Sequence, residues 1–223
     1  MRENFPPFGK FPPDFRKEVI GQILAIISRG ENLQLVGLPG SGKSILLSAL
    51  VHSPQILKFH LKEKVGGYHF LYLNLNLIPE RNTSSLLYFI LSHLEKEVAE
   101  SPNIDFLLRK TQEAIKNCLS NRPKKLILIL DEFEGLVDPA LSHFFHILRG
   151  LHQENRFSLY FIFALGREIL THQGLLPFGA LGNLIAENVL YLPPLSKKDA
   201  LWFIGEQEKQ LGKNFPPVKK KIF

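Results

Sequence analysis

Apolar residues recur at two spacings along this chain, and the switches between them mark its elements. Phe15, Val19, Ile20, Ile23, Ile26 and Ile27 share one face of a helix that Asp14 would cap and Gly30 would stop. Leu33 to Val36 reads as a buried strand, and Ile45 to Val51 as an apolar-faced helix. Gly66-Gly67 introduces a second strand, Tyr68 to Leu75. Two helices follow, one over about 83–99 with Leu87, Ile90, Leu91, Leu94 and Val98 inward, the other over about 103–119. Leu126 to Leu130 is an unbroken apolar run, the pattern of a central strand. Asp138-Pro139 supplies the cap and first turn of a helix ending near Gly150. Leu159 to Leu165 and Val189 to Leu192 read as further strands, the last stopping at Pro193-Pro194. Ser196-Lys197-Lys198-Asp199 is a capping box that opens a final helix, closed by Gly212.

Strands alternating with helices predict a right-handed, mostly parallel sheet covered on both faces, a three-layer αβα sandwich. The 223 residues suffice for one such domain with some length to spare, and 45% hydrophobic content supports a packed core. No run approaches a membrane span, and the Pro-rich start lacks the apolar core of a signal peptide. A lone Cys118 gives no disulfide framework, which suits a reducing cytoplasm. The net charge of +6 is spread over small clusters: Lys10, Arg16-Lys17, Arg122, Lys124-Lys125 and Lys219-Lys220-Lys221. None alternates with aromatics, so they read as solvated surface, with DNA contact left open.

The chemistry concentrates in two places. Gly37-Leu38-Pro39-Gly40-Ser41-Gly42-Lys43-Ser44 has the form G-x-x-x-x-G-K-S between a strand and a helix that continues with Ile45. Its glycines let successive N–H groups converge on a phosphate, and the helix N-terminus adds its dipole. Lys43 would reach the β- and γ-phosphates of ATP, and the Ser44 hydroxyl would ligate Mg²⁺. The run at 126–130 ends in Asp131-Glu132, the form of a Walker B motif. Asp131 can hold the Mg²⁺ shell and Glu132 can orient and deprotonate the attacking water. Ligands of parallel sheets gather beyond the carboxyl ends of the strands, so the ends at Val36 and Leu130 should lie side by side. Glu134 would share the face of Glu132 if the strand extends, and is a weaker candidate base, with Phe133 pointing away.

Through LVGLPGSGKSILL, LILILDEFEGL, FIFALGRE and LPPLSKKDA the chain resembles the AAA+/STAND group of P-loop ATPases, near the origin-recognition-like and archaeal-type members. The likeness covers about residues 14–212. It implies a five-stranded sheet of order 5-1-4-3-2, a strand inserted between the P-loop and Walker B strands, and a helical lid followed by a winged helix or repeat array. The chain then divides into a leader (1–13), an ATPase core (14–195) and the start of a lid (196–223), as in a truncated product or fragment. Arg167 matches the place past strand four where STAND members carry a γ-phosphate-sensing arginine; an ordinary surface arginine fits equally. Ser196 to Asp199 imitates N-K-x-D, but Ser replaces Asn and the D-x-x-G partner is missing, so adenine is favoured, with the region from Phe15 to Ile20 as one wall of its pocket. His143 and His146, three apart, lack a third ligand and read as ordinary histidines.

The function expected is an ATP-binding, Mg²⁺-dependent hydrolysing module that acts as a conformational or assembly switch, with self-association or protein partners as its candidate outputs. Competing readings are a DNA-loading or remodelling ATPase of origin-recognition or transposition-helper type, a small nucleotide kinase, and a nucleotide-binding scaffold without catalysis.

Overall fold

The computed structural model describes residues 11–99, 101–120, 124–167 and 176–212. Most of the expected leader, Arg122 and the Lys219–Lys221 cluster lie outside the described residues. Within them, β1 (Leu33–Val36), β2 (Tyr68–Asn74), β3 (Lys125–Asp131), β4 (Leu159–Leu165) and β5 (Val189–Tyr191) form one sheet of order β2-β3-β4-β1-β5. Every pairing is parallel. This is the expected 5-1-4-3-2 order read from the other edge.

Period-two alternation along the strands divides the core. Leu126, Leu128, Leu130, Phe161 and Phe163 face one cluster, shared with helices α4 (Thr83–Leu94), α5 (Ile104–Ser120) and α6 (Ser142–Glu154). Ile127, Ile129, Phe70, Tyr72, Leu33 and Leu35 face the other, shared with α1 (Lys17–Arg29), α2 (Lys43–His52) and α3 (Pro54–Leu61). A short α7 (Gly182–Ile185) precedes β5, and α8 (Lys197–Leu211) follows it. The result is three layers. No helix among the described residues is long and apolar enough to cross a membrane.

Several boundaries shift for local reasons. Asp14 does not cap α1; Arg16 precedes the helix in a left-handed conformation (φ 44°), and the Asp14 carboxylate pairs with Lys198. Gly30 ends α1 as expected, with φ 84°. α4 stops at Leu94, because Glu95 is extended, although Val98 still packs on the core. β2 ends at Asn74, whose side chain accepts from the Asn76 amide and starts a turn. Asp138 accepts from the Ala140 amide and opens a 3-10 turn, after which α6 runs through Gly150 to Glu154. At α8 the Ser196 hydroxyl accepts the Asp199 amide (3.1 Å) and Gly212 closes the helix, both as read. The strand ends at Val36 and Leu130 are not side by side: β4 runs between them, pairing Leu165 with Val36 and Phe163 with Leu130.

Candidate functional site

The loop after β1 is anchored before it turns. The Gly37 amide donates to Leu165 (3.0 Å), and the Leu192 amide donates to Val36 (2.7 Å), tying the exit to both neighbouring strands. At Gly37 the returning loop is so close that a Cβ would sit 2.7 Å from Ser41 Oγ and 3.1 Å from the Leu192 Cβ. Gly40 and Gly42 have φ of 78° and 85°, where a side chain is strained. Leu38, Pro39 and Gly40 form the exposed tip. The Leu46 amide bonds to Gly42, opening α2. An α-helix leaves its first N–H groups without intrahelical acceptors, here those of Gly42, Lys43, Ser44 and Ile45. Lys43 is buried, with its ammonium donating to the Gly37 carbonyl (2.6 Å) across the loop. Ser44 and Ile45 are half-buried beside it.

β3 delivers the carboxylates. Asp131 is buried on the same sheet face as Ile127 and Ile129, the face that carries α2. Its Oδ1 accepts from the Glu132 amide (3.0 Å) and its Oδ2 from the Tyr72 hydroxyl (2.5 Å). Glu132 adopts a left-handed conformation (φ 59°), which ends the strand and turns the chain into a 3-10 segment, Phe133–Leu136. Phe133 is fully buried, as expected. Glu134 therefore does not extend the strand alongside Glu132. Its Oε1 accepts from the Gly166 amide (2.6 Å), fastening the end of β4, while Oε2 is buried without a hydrogen-bond partner among the described residues. The Glu132 carboxyl is raised above its ordinary value, first by burial and then by the charges of Glu134 and Asp131, with the Lys43 ammonium opposing. Glu134, Asp131 and Lys43 are thus all near enough for their charges to act on Glu132. Arg167 follows Gly166, exposed beyond the end of β4 at this same rim.

The donors suit a magnesium–triphosphate pair. A Mg²⁺ ion is characteristically held by one or two protein oxygens plus substrate phosphates, and Asp131 with Ser44 offers that number. The cradle closed by Gly37 leaves no room for a larger residue.

Three groups here were not foreseen. Tyr72 carries no signal in an apolar strand. Arg81 donates to Gly135 (2.5 Å) and to Asn76 (2.9 Å), clamping the turn after β3 to the exit of β2. Arg16 is buried and reaches the P-loop, donating from Nη2 to the Ser41 carbonyl (2.9 Å) and from Nη1 to Pro193 (2.8 Å). The region from Phe15 to Ile20, expected as an adenine wall, divides between a cleft and the core. Arg16, Lys17 and Val19 line a cleft of about 240 Å³ with Pro193 and Ser196, whereas Phe15 and Ile20 are buried in the core. His143 and His146 are exposed, and the ring Nδ1 of His146 lies 2.8 Å from the Ser142 carbonyl.

The AAA domain family matches residues 27–171. No curated protein matches the chain. Among solved structures, the Aeropyrum pernix ORC1 protein in complex with DNA superposes with a TM-score of 0.63 at 15% identity, over 94% of this chain and 52% of that one. The Aeropyrum pernix ORC2 protein in its ADPNP–ADP complexes gives 0.62 at 18%, over 93% and 54%. The Drosophila ORC bound to DNA gives 0.57 at 17%, over 88% and 47%. The chain spans about half the length of these structures, and at such identities the likeness is one of fold.

Proposed function

Because this chain belongs to the AAA domain family, we propose that its ATPase fold binds ATP with Mg²⁺ in the Gly37–Ser44 loop and hydrolyses it slowly, as a nucleotide-driven switch. The observation that carries this reading is the glycine cradle with Lys43 buried across it, set against a buried Asp131 at the end of β3 on the sheet face that carries α2. When bound, magnesium–ATP supplies a transferable phosphoryl group and a cation that withdraws charge from it. The chain's own residues do the rest. Amides from Gly42 to Ile45 converge on the phosphates, and the Lys43 ammonium exchanges the Gly37 carbonyl for phosphate oxygen. Asp131 and Ser44 hold the cation. Glu132, next to Asp131 at the end of β3, takes the proton of the attacking water. Arg167 is the candidate γ-phosphate sensor, and α8, opened by Ser196, is the candidate lid helix that answers it.

The test is nucleotide binding and ATP hydrolysis by the purified chain beside Lys43→Ala and Glu132→Gln. Lys43→Ala should lose binding, and Glu132→Gln should keep binding and lose turnover; equal behaviour of all three would discard the site. The fold likeness to an ORC1 protein in complex with DNA favours one second reading, a DNA-loading ATPase. It would appear as DNA affinity that depends on ATP and falls steeply with salt.

A further inference from the structure

Arg16 occupies an unusual position for so large a residue. It is 5% exposed, and its φ of 44° and ψ of 40° place it in the left-handed region that L-residues with a Cβ avoid. Three bonds to three separate segments hold it there. Its amide donates to Asp199 Oδ1 in the first turn of α8 (3.3 Å). Nη1 donates to the Pro193 carbonyl between β5 and α8 (2.8 Å), and Nη2 to the Ser41 carbonyl in the P-loop (2.9 Å).

The Ser41 carbonyl and the Gly42 N–H belong to one planar trans peptide and point in opposite directions. By gripping the carbonyl, Arg16 sets the aim of the Gly42 amide, one of the donors at the start of α2. A phosphate drawing on that amide must therefore pull on, or be favoured by, the position of Arg16. The other end of the linkage is equally tight. Asp199 Oδ2 accepts from the Ser196 hydroxyl (2.6 Å), so the carboxylate that receives Arg16 is built into the cap of α8. One turn later, Trp202 packs on Phe11 and Phe15, with ring centroids 5.1 and 5.5 Å away. A buried guanidinium pays for its desolvation, and Asp199 opposes that loss; an anion in the adjacent loop would do the same.

We propose that Arg16 is a positioning residue that couples occupancy of the P-loop to the seating of α8, through the Ser41 peptide on one side and Asp199 on the other. The inference rests on the ATP reading of the loop and identifies the chain's own connection between that site and the following helix.

The single tryptophan, Trp202, reports on α8 without any label. Binding is followed by calorimetry with Mg²⁺ and the non-hydrolysable analogue ADPNP, and Trp202 emission is recorded at matched saturation. In the wild type, saturation should change the emission. Arg16→Lys keeps the charge but loses the fork; it should bind about tenfold more weakly and, once saturated, leave the emission unchanged. Asp199→Ala severs only the α8 arm while leaving the Ser196 hydroxyl to cap the helix; its affinity should fall less than that of Arg16→Lys, with the emission response equally lost. Thermal unfolding of each variant checks that it is folded. A full emission response in saturated Asp199→Ala or Arg16→Lys, or wild-type binding with no response, would overturn the coupling alone. Absence of binding heat in the wild type would instead overturn the reading of the loop and the coupling with it.

Discussion

The Tyr72 hydroxyl donates to Asp131 Oδ2 across 2.5 Å, joining the edge strand β2 to the carboxylate at the end of β3. The register that makes this contact pairs Tyr72 with Ile129, two residues before Asp131 and on the same sheet face. With the Glu132 amide on Oδ1, each oxygen of a carboxylate 1% exposed has one donor and keeps a further lone pair. The carboxylate is thereby held in one orientation, as the proposed Mg²⁺ site requires.

Tyr72→Phe removes one hydrogen bond to a charged acceptor without opening a cavity. It should lower stability by about 1.5–3 kcal/mol, measured by urea unfolding at neutral pH. Nucleotide affinity should drop in Mg²⁺ and much less in EDTA. An equal drop in both media would mean that Tyr72 does not act through Asp131.

Glu132 should show its environment in pH profiles. Burial and the charges of Glu134 and Asp131 raise its pKa in the protein free of nucleotide and Mg²⁺, so the Glu132 carboxyl, followed there by NMR, should titrate above the ordinary glutamate range. Glu134→Gln removes one of these charges and should move that midpoint to lower pH, whereas an unmoved midpoint would mark Glu134 as structural only. The stability sign follows from the same shift. A carboxyl whose folded pKa is above its unfolded value stabilises most below the unfolded value and loses that contribution as pH rises through the folded one. Glu132→Gln should therefore raise the unfolding temperature at neutral pH, and the gain should fade on acidification; partial exposure keeps it under about 1 kcal/mol.

What the sequence discloses here follows from the range of the forces involved. Leu159–Leu165 and the cap of α8 were legible because a continuous apolar, aromatic run and a capping box are both written within a few residues. The phosphate loop was legible because its geometry demands glycines at fixed offsets. Arg16 and Tyr72 were not, since their partners lie 183 and 59 residues away and nothing local marks either side chain. The left-handed turn at Glu132 was hidden for a different reason: no glycine or asparagine advertises it, and the long-range fastening of Glu134 to Gly166 helps hold it. The adjacency expected for Val36 and Leu130 failed because the general rule about strand ends carries no strand order; the order 5-1-4-3-2 implied by the resemblance already sets strand four between them.

Gly37→Ala tests the closeness of the cradle. The added methyl would meet Ser41 Oγ at 2.7 Å and Lys43 Cγ at 3.0 Å, so the loop must shift. Overpacking of this kind costs about 1–3 kcal/mol, and the displaced Lys43 should weaken nucleotide binding at least tenfold. Wild-type affinity in a folded Gly37→Ala protein would show that the loop opens on binding.

Asn32 provides the opposite case, a residue expected to matter for the fold and not for the nucleotide. It precedes β1 at the far end of the sheet from the loop and is 1% exposed. Its Oδ1 accepts the Phe161 amide of β4 (2.9 Å), its Nδ2 donates to Glu187 (2.6 Å), and its carbonyl accepts from Asn188 (3.0 Å). These bonds stitch the starts of β1 and β4 to the approach of β5. Asn32→Leu fills a similar volume but strands the buried Phe161 amide, while the exposed Glu187 carboxylate loses the Nδ2 bond and keeps the one from the residue-32 amide (2.9 Å). The expected loss is about 2–3 kcal/mol in urea unfolding, with nucleotide affinity at low temperature within about twofold of wild type. A large fall in affinity while the protein remains folded would mean that the two ends of the sheet communicate, and that β1 transmits displacement along its length to Gly37.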